Sequence, residues 1–198
     1  MAAEQLKNIF LSASVPLEER DLKYFDTADI IAIRDAVIAL TQTVLPQYRL
    51  IWGGHPSITP LINYVMEKFD LNIQAHVTIY QSLFFEKFFP ADNNKFENII
   101  FTENLNDRDA SVANMRKQMF TENDFVAGVF IGGMEGIEDE FKLLREYHPN
   151  ALLLPIASTG AATQIVYDTI LPEGMKNERL RKDYGFMSLF QELLIERI

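Results

Sequence analysis

Six apolar runs rich in β-branched residues alternate along the chain with segments of helical periodicity, and this rhythm most narrows the folds open to it. Short, nearly continuous apolar strands are expected when helices cover both faces of a sheet, and strand–helix alternation is the pattern of βαβ units with parallel pairing. The runs are Asn8–Ala13, Arg49–Trp52, Ala75–Tyr80, Asn98–Phe101, Phe125–Ile131 and Ala151–Ile156. Between the first two, Ile30, Ile33, Val37, Leu40 and Val44 recur at spacings of three and four, which is one face of an amphipathic helix. Thr59 followed by Pro60 reads as an N-cap and first-turn proline of a helix reaching about Phe69. Further helices are expected over Asp107–Phe120, Gly136–Tyr147, Ala161–Thr169 and Phe186–Arg197. The expected fold class is α/β: a Rossmann-like, doubly wound, mostly parallel sheet of about six strands with helices on both faces. At 198 residues the chain reads as one domain, 1–198.

Two stretches break the alternation. Ser82–Lys95 carries Phe84, Phe85, Phe88 and Phe89 and then a turn-rich Pro90 to Asn94. It reads as an aromatic-rich insertion: a short helix packing its rings over the sheet edge or, alternatively, a lid or partner-docking surface. Leu171–Tyr184 mixes charges without period and is expected to be a surface loop.

Composition removes several functions. Eighteen Lys and Arg stand against 28 Asp and Glu, a formal charge of −10 at pH 7. A surface that acidic repels phosphate backbones and anionic lipid, so neither nucleic acid nor membrane is an expected partner. Cysteine is absent, which excludes disulfides, thiolate metal sites and cysteine nucleophiles. No apolar run approaches a membrane span. The polar start, Met1 to Lys7, lacks a signal-peptide layout. A cytoplasmic protein is the expectation.

In an open α/β sheet, ligands bind where βα loops gather at the carboxyl ends of the strands. Four loops here carry small residues at that edge. Ser12-Ala13-Ser14 follows the first strand, with hydroxyls that either bond a ligand or cap a turn. Gly53-Gly54-His55 follows the second, where paired glycines allow close backbone approach to an anion. Gly132-Gly133-Met134-Glu135-Gly136 follows the fifth strand and opens a helix bearing Glu138, Asp139 and Glu140. This is the context a phosphate-cradling loop requires, although first-turn acids usually just complement the helix dipole. Four acids cannot all surround one anion, so some must face solvent or bind sugar hydroxyls. Ser158-Thr159-Gly160 follows the sixth strand. Arg116 and Lys117 lie on the helix entering the fifth strand, where a solvated basic face is the plain reading. His55, His76 and His148 have no paired-ligand spacing, so no metal site is expected. A Gly-x-Ser-x-Gly elbow is also absent.

Together these loops resemble the SLOG superfamily, Rossmann-like nucleotide-ligand domains that include the LONELY GUY-type phosphoribohydrolases. The residues that carry the resemblance are Ile9 to Ser14, Trp52 to Pro56, Met115 to Lys117, and Ile131 to Glu140. Those enzymes have a Pro-Gly-Gly-x-Gly-Thr-x-x-Glu motif and an upstream Arg-Lys pair. Gly132, Gly133, Gly136, Glu140, Arg116 and Lys117 match it. Ile131 replaces the proline, one extra residue precedes Gly136, and Ile137 replaces the threonine.

The resemblance implies a small nucleotide-derived ligand, with no resident cofactor. Ser12, Ser14, Gly53, Gly54, His55, Gly132, Gly133, Met134, Glu135, Gly136, Ser158, Thr159 and Gly160 would be its contacts. Glu140 and Arg116 would serve cleavage of the base–ribose bond if catalysis is retained. The altered motif resembles branches that sense or process nucleotide signals in prokaryotic defence systems, which implies a homo-oligomer and a separate effector protein. Asp124–Gly128 through Glu140 also resembles nucleoside deoxyribosyltransferases, whose catalytic Glu follows a Gly-rich loop. Three expectations follow: a nucleotide-binding sensor, a nucleotide N-glycosidase, or an interaction domain with a vestigial pocket.

Overall fold

The computed structural model describes residues 6–45, 47–69 and 73–198. Most of the polar start discussed above, Met1 to Gln5, lies outside the described residues. Six strands form one sheet: β1 (Asn8–Ser14), β2 (Arg49–Trp52), β3 (Val77–Ser82), β4 (Ile99–Thr102), β5 (Phe125–Gly132) and β6 (Leu152–Ile156). Their order is β4-β3-β2-β1-β5-β6 and every pairing is parallel. The chain winds outward from β1 to β4, then crosses back to place β5 on β1's other side. The order therefore reverses between β1 and β5, where a doubly wound sheet opens its ligand crevice.

Eight α-helices are described: α1 (Leu22–Phe25), α2 (Ile30–Val44), α3 (Thr59–Met66), α4 (Arg108–Glu122), α5 (Glu135–Tyr147), α6 (Ala161–Ile165), α7 (Glu178–Lys182) and α8 (Phe186–Leu193). Packed against one another, α2, α3 and α8 cover one face of the sheet, while α4 and α5 cover the other. That is why Ile9, Phe10 and Leu11 are all buried in succession on β1. Phe10 meets Phe120 of α4 edge-on at 4.9 Å, and Phe130 of β5 meets Phe141 of α5 at 5.0 Å. Such pairs add specific geometry to the area they bury.

Four local expectations are corrected. Thr59 does not cap α3; it is the first helical residue, and its hydroxyl accepts a bond from the Trp52 indole at 3.2 Å. The helix expected over Ala161–Thr169 is α6 followed by a π-helical turn, Val166–Ile170. Leu171–Tyr184 is not a plain loop, because it holds α7, capped by Asn177 and anchored by the fully buried Leu180. Ser82–Lys95 forms two 3-10 segments, Leu83–Phe88 and Ala91–Lys95, rather than one helix. Its rings are not core: Phe84, Phe85 and Phe89 are half-buried and Phe88 is 72% exposed. Phe89 stacks on Phe101 of edge strand β4 at 5.7 Å.

Candidate functional site

At the carboxyl edge of β1, β2 and β5 lies a cleft of about 210 Å³. Ser12 and Ser14 line it from β1, Gly53 and His55 from the loop after β2, and Met134, Glu135, Gly136 and Glu140 from the start of α5. Arg116 reaches it from α4. Its centre is a three-residue cluster. Glu140 receives a short hydrogen bond from the Ser12 hydroxyl on one oxygen and the Arg116 Nε on the other at 2.9 Å. The Arg116 and Glu140 side chains are only 14% and 16% exposed, so this pair is shielded and water competes for it weakly. A second guanidinium nitrogen of Arg116 donates to the Gly136 carbonyl at 3.1 Å. A Cβ on Gly136 would stand 2.9 Å from Arg116 Nη2, so a larger residue there would make the guanidinium shift. Lys117, its neighbour in sequence, faces solvent.

The four acids in the first two turns of α5 divide their work. Glu135 pairs with Arg20, Glu138 accepts from the Tyr24 hydroxyl at 2.7 Å, Asp139 lies exposed 3.5 Å from Arg116, and Glu140 completes the central cluster. Burial and the Glu138 carboxylate push the Tyr24 phenol up, keeping it a proton donor throughout the physiological range. These contacts tie the segment after β1 across the start of α5.

The glycine loop differs from a free phosphate cradle. The Gly132 amide donates to Thr159 Oγ1 at 2.9 Å and the Gly133 amide to the Ser14 carbonyl at 2.8 Å. Both glycines have positive φ, and a Cβ on Gly133 would meet Ile137 at 2.1 Å. Their job is to let the chain turn tightly over Ile137, not to present amides. The first turn of α5 lines the cleft instead, and its N-cap, Met134, supplies no side-chain cap for its leading amides. Ser158, Thr159 and Gly160 lie beneath this loop and outside the cleft. Ser158 donates to the Asp183 carbonyl, Thr159 carries the Gly132 amide, and Gly160 (φ 71°) packs against the Thr27 carbonyl. The loop after β6 is a buttress. Gly54 turns away as well, its carbonyl accepting from Gln81.

His55 shares its Nδ1 with the Ser57 hydroxyl at 2.8 Å, and Ser57 Oγ in turn accepts from the Val15 amide. Desolvation among the loops, and then the Arg20 guanidinium, lower its pKa, so the ring is neutral at pH 7. Two charged lining residues, Arg20 and Arg108, are not marked by any sequence motif, and Trp52, at the head of the Trp52 to Pro56 stretch, forms a wall. Arg20 lies in a charged stretch with no pattern, but Arg108, immediately after the Asp107 cap and following β4, sits where ligand-edge residues belong. Among the described residues, no group of His, Asp and Glu could hold a metal ion and no helix is long and apolar enough to cross a membrane.

A family model described as the SLOG cluster3 family matches residues 23–194. No curated protein matches the chain significantly. Among solved structures, the chain is similar to the X-ray structure of TM1055, a structural-genomics target, at a TM-score of 0.62 and 16% identity, covering 98% of this chain and 100% of that one. The likeness is one of fold.

Proposed function

Because the chain belongs to the SLOG cluster3 family, we propose that it binds a nucleotide or nucleotide-derived signal in the cleft above β1, β2 and β5. It does so as a sensor or processing domain of a prokaryotic defence or signalling system, assembled as a homo-oligomer and acting through an effector on another chain. One observation carries the binding step. In a chain of formal charge −10, three arginines, Arg20, Arg108 and Arg116, open on one cleft beside the uncapped start of α5. Guanidinium groups and first-turn amides are the donors that phosphate selects. Ser12, Ser14 and Glu140 supply acceptors for sugar hydroxyls, and Trp52 gives an apolar wall. Calorimetry or thermal shift against nucleoside phosphates, ADP-ribose and cyclic nucleotides tests the reading. A ligand at 100 times its Kd should stabilise the fold by roughly 2.7 kcal/mol. No response to any member of the panel sinks it.

A second reading, nucleotide N-glycosidase, is favoured by Glu140 alone: a carboxylate at the cleft, oriented by its pairing with Arg116 at 2.9 Å, can support an oxocarbenium-like transition state. Against it, the position of the motif's threonine is filled by Ile137, 3% exposed and packed under the loop, so no hydroxyl is offered there. Chromatography for free base separates the two readings. Release that Glu140→Gln abolishes would establish the enzyme; no release, with binding intact, leaves the sensor.

A further inference from the structure

The cleft continues into a second compartment whose aromatic wall neither the family motif nor the proposed binding step uses. It measures about 240 Å³ and lies under the Ser82–Lys95 insertion, walled by Phe85, Phe88 and Phe89. Arg20, Arg108, Gly53, His55 and Met115 line both compartments, so the two arginines stand at their junction. The compartments differ in chemistry. The first holds Ser12, Arg116 and Glu140, whereas the second is mostly apolar and aromatic. Small-molecule sites usually span about 300–1,000 Å³. Each compartment alone falls short of that range, and the two together fall within it. The most exposed phenylalanine among the described residues, Phe88, at 72%, has no partner ring among them and instead presents its surface beside this space.

From this juxtaposition we propose that the ligand is a bipartite nucleotide: a base stacked in the Phe85–Phe89 compartment, a phosphate bridge at Arg20 and Arg108, and a second sugar at Ser12 and Glu140. The inference rests on the binding role proposed above and adds the class of molecule bound. Aromatic rings recognise any base by stacking, worth roughly a factor of ten in affinity per base. Two guanidinium groups lining one junction match a two-phosphate bridge better than a single terminal phosphate. A carboxylate suits a sugar's hydroxyls and repels a third phosphate.

The test compares adenosine monophosphate, ADP-ribose and diadenosine diphosphate by calorimetry on the wild type and on Phe88→Ala and Phe85→Ala. Phe88 is exposed, so its replacement leaves folding intact and serves where Phe85→Ala perturbs the insertion. The expected result is that both extended ligands bind at least tenfold more tightly than the monophosphate. Each extended ligand should lose roughly tenfold in Phe88→Ala, while Arg116→Ala weakens the extended ligands without altering the effect of Phe88→Ala. Equal affinity for monophosphate and extended ligands, or an unchanged ratio in both phenylalanine variants, overturns the bipartite ligand and leaves simple nucleotide binding standing. Silence from all three ligands overturns both.

Discussion

At the scale of single residues, the absence of a side chain at Gly136 matters as much as any group present. Alanine there suits the first turn of a helix better than glycine, so Gly136→Ala should leave the melting temperature unchanged or slightly raised. Its Cβ would nevertheless crowd the Arg116 Nη2 and weaken that nitrogen's bond to the Gly136 carbonyl, shifting the guanidinium in the cleft. Ligand affinity should fall by about tenfold, the loss of one charge-assisted hydrogen bond, and a thermal melt paired with calorimetry would show stability and binding moving apart. His55 makes a different prediction. Its folded pKa is lowered below that of the unfolded chain, so between the two values the unfolded chain binds more protons. Stability contributed by His55 is therefore present above about pH 6.5 and is lost as pH falls below it. Denaturation curves from pH 7 downward should be steeper for wild type than for His55→Gln; parallel curves would exclude the effect. Neither residue could be assigned this way beforehand. A glycine's role depends on which side chain crosses it, and that partner is 20 positions away.

Among the elements, periodicity was readable wherever an element is long and covers the sheet. The apolar spacing of Ile30 to Val44 coincides with α2 end to end, because a helix seated on a sheet must keep one face apolar over four turns. Short elements gave no such pattern. The five-residue α7 buries one residue, Leu180, and its charges serve ion pairs: Arg179 with Asp183 and Glu192, Arg181 with Asp168, Lys182 with Glu178. From sequence alone, one apolar residue among scattered charges looks like a loop. Leu180→Ala should cost about 2–5 kcal/mol in chemical denaturation, whereas a leucine on a mobile loop would cost almost nothing. The loop after β6 is ambiguous for a related reason. Small residues and hydroxyls at a strand's end suit a ligand and a tight buttress equally. Only the partners of Thr159 and Gly160 distinguish the two.

For the molecule as a whole, the acidic exterior and the arginine-lined cleft pull against each other, and salt reveals the balance. Affinity for an anionic ligand should fall as ionic strength rises from about 0.01 to 1 M, over which the Debye length shrinks from about 30 to 3 Å. An uncharged nucleoside should show little change. The sheet order, which puts β1 between β2 and β5, was legible only as a class, since alternation predicts parallel pairing and not which strand crosses back.

The bonds from Gly132 to Thr159 and from Gly133 to Ser14 have a kinetic consequence. They join the ends of β1, β5 and β6 into a floor that is already ordered before anything arrives. Recognition there costs little conformational entropy, so encounter should be fast and require no loop closure. What must settle afterwards is the rim, the exposed side chains of Arg20 and Phe88. Residence time belongs to the rim: in stopped-flow traces Phe88→Ala should quicken departure while leaving arrival almost untouched, whereas Arg20→Ala, which removes a steering charge, should also slow arrival.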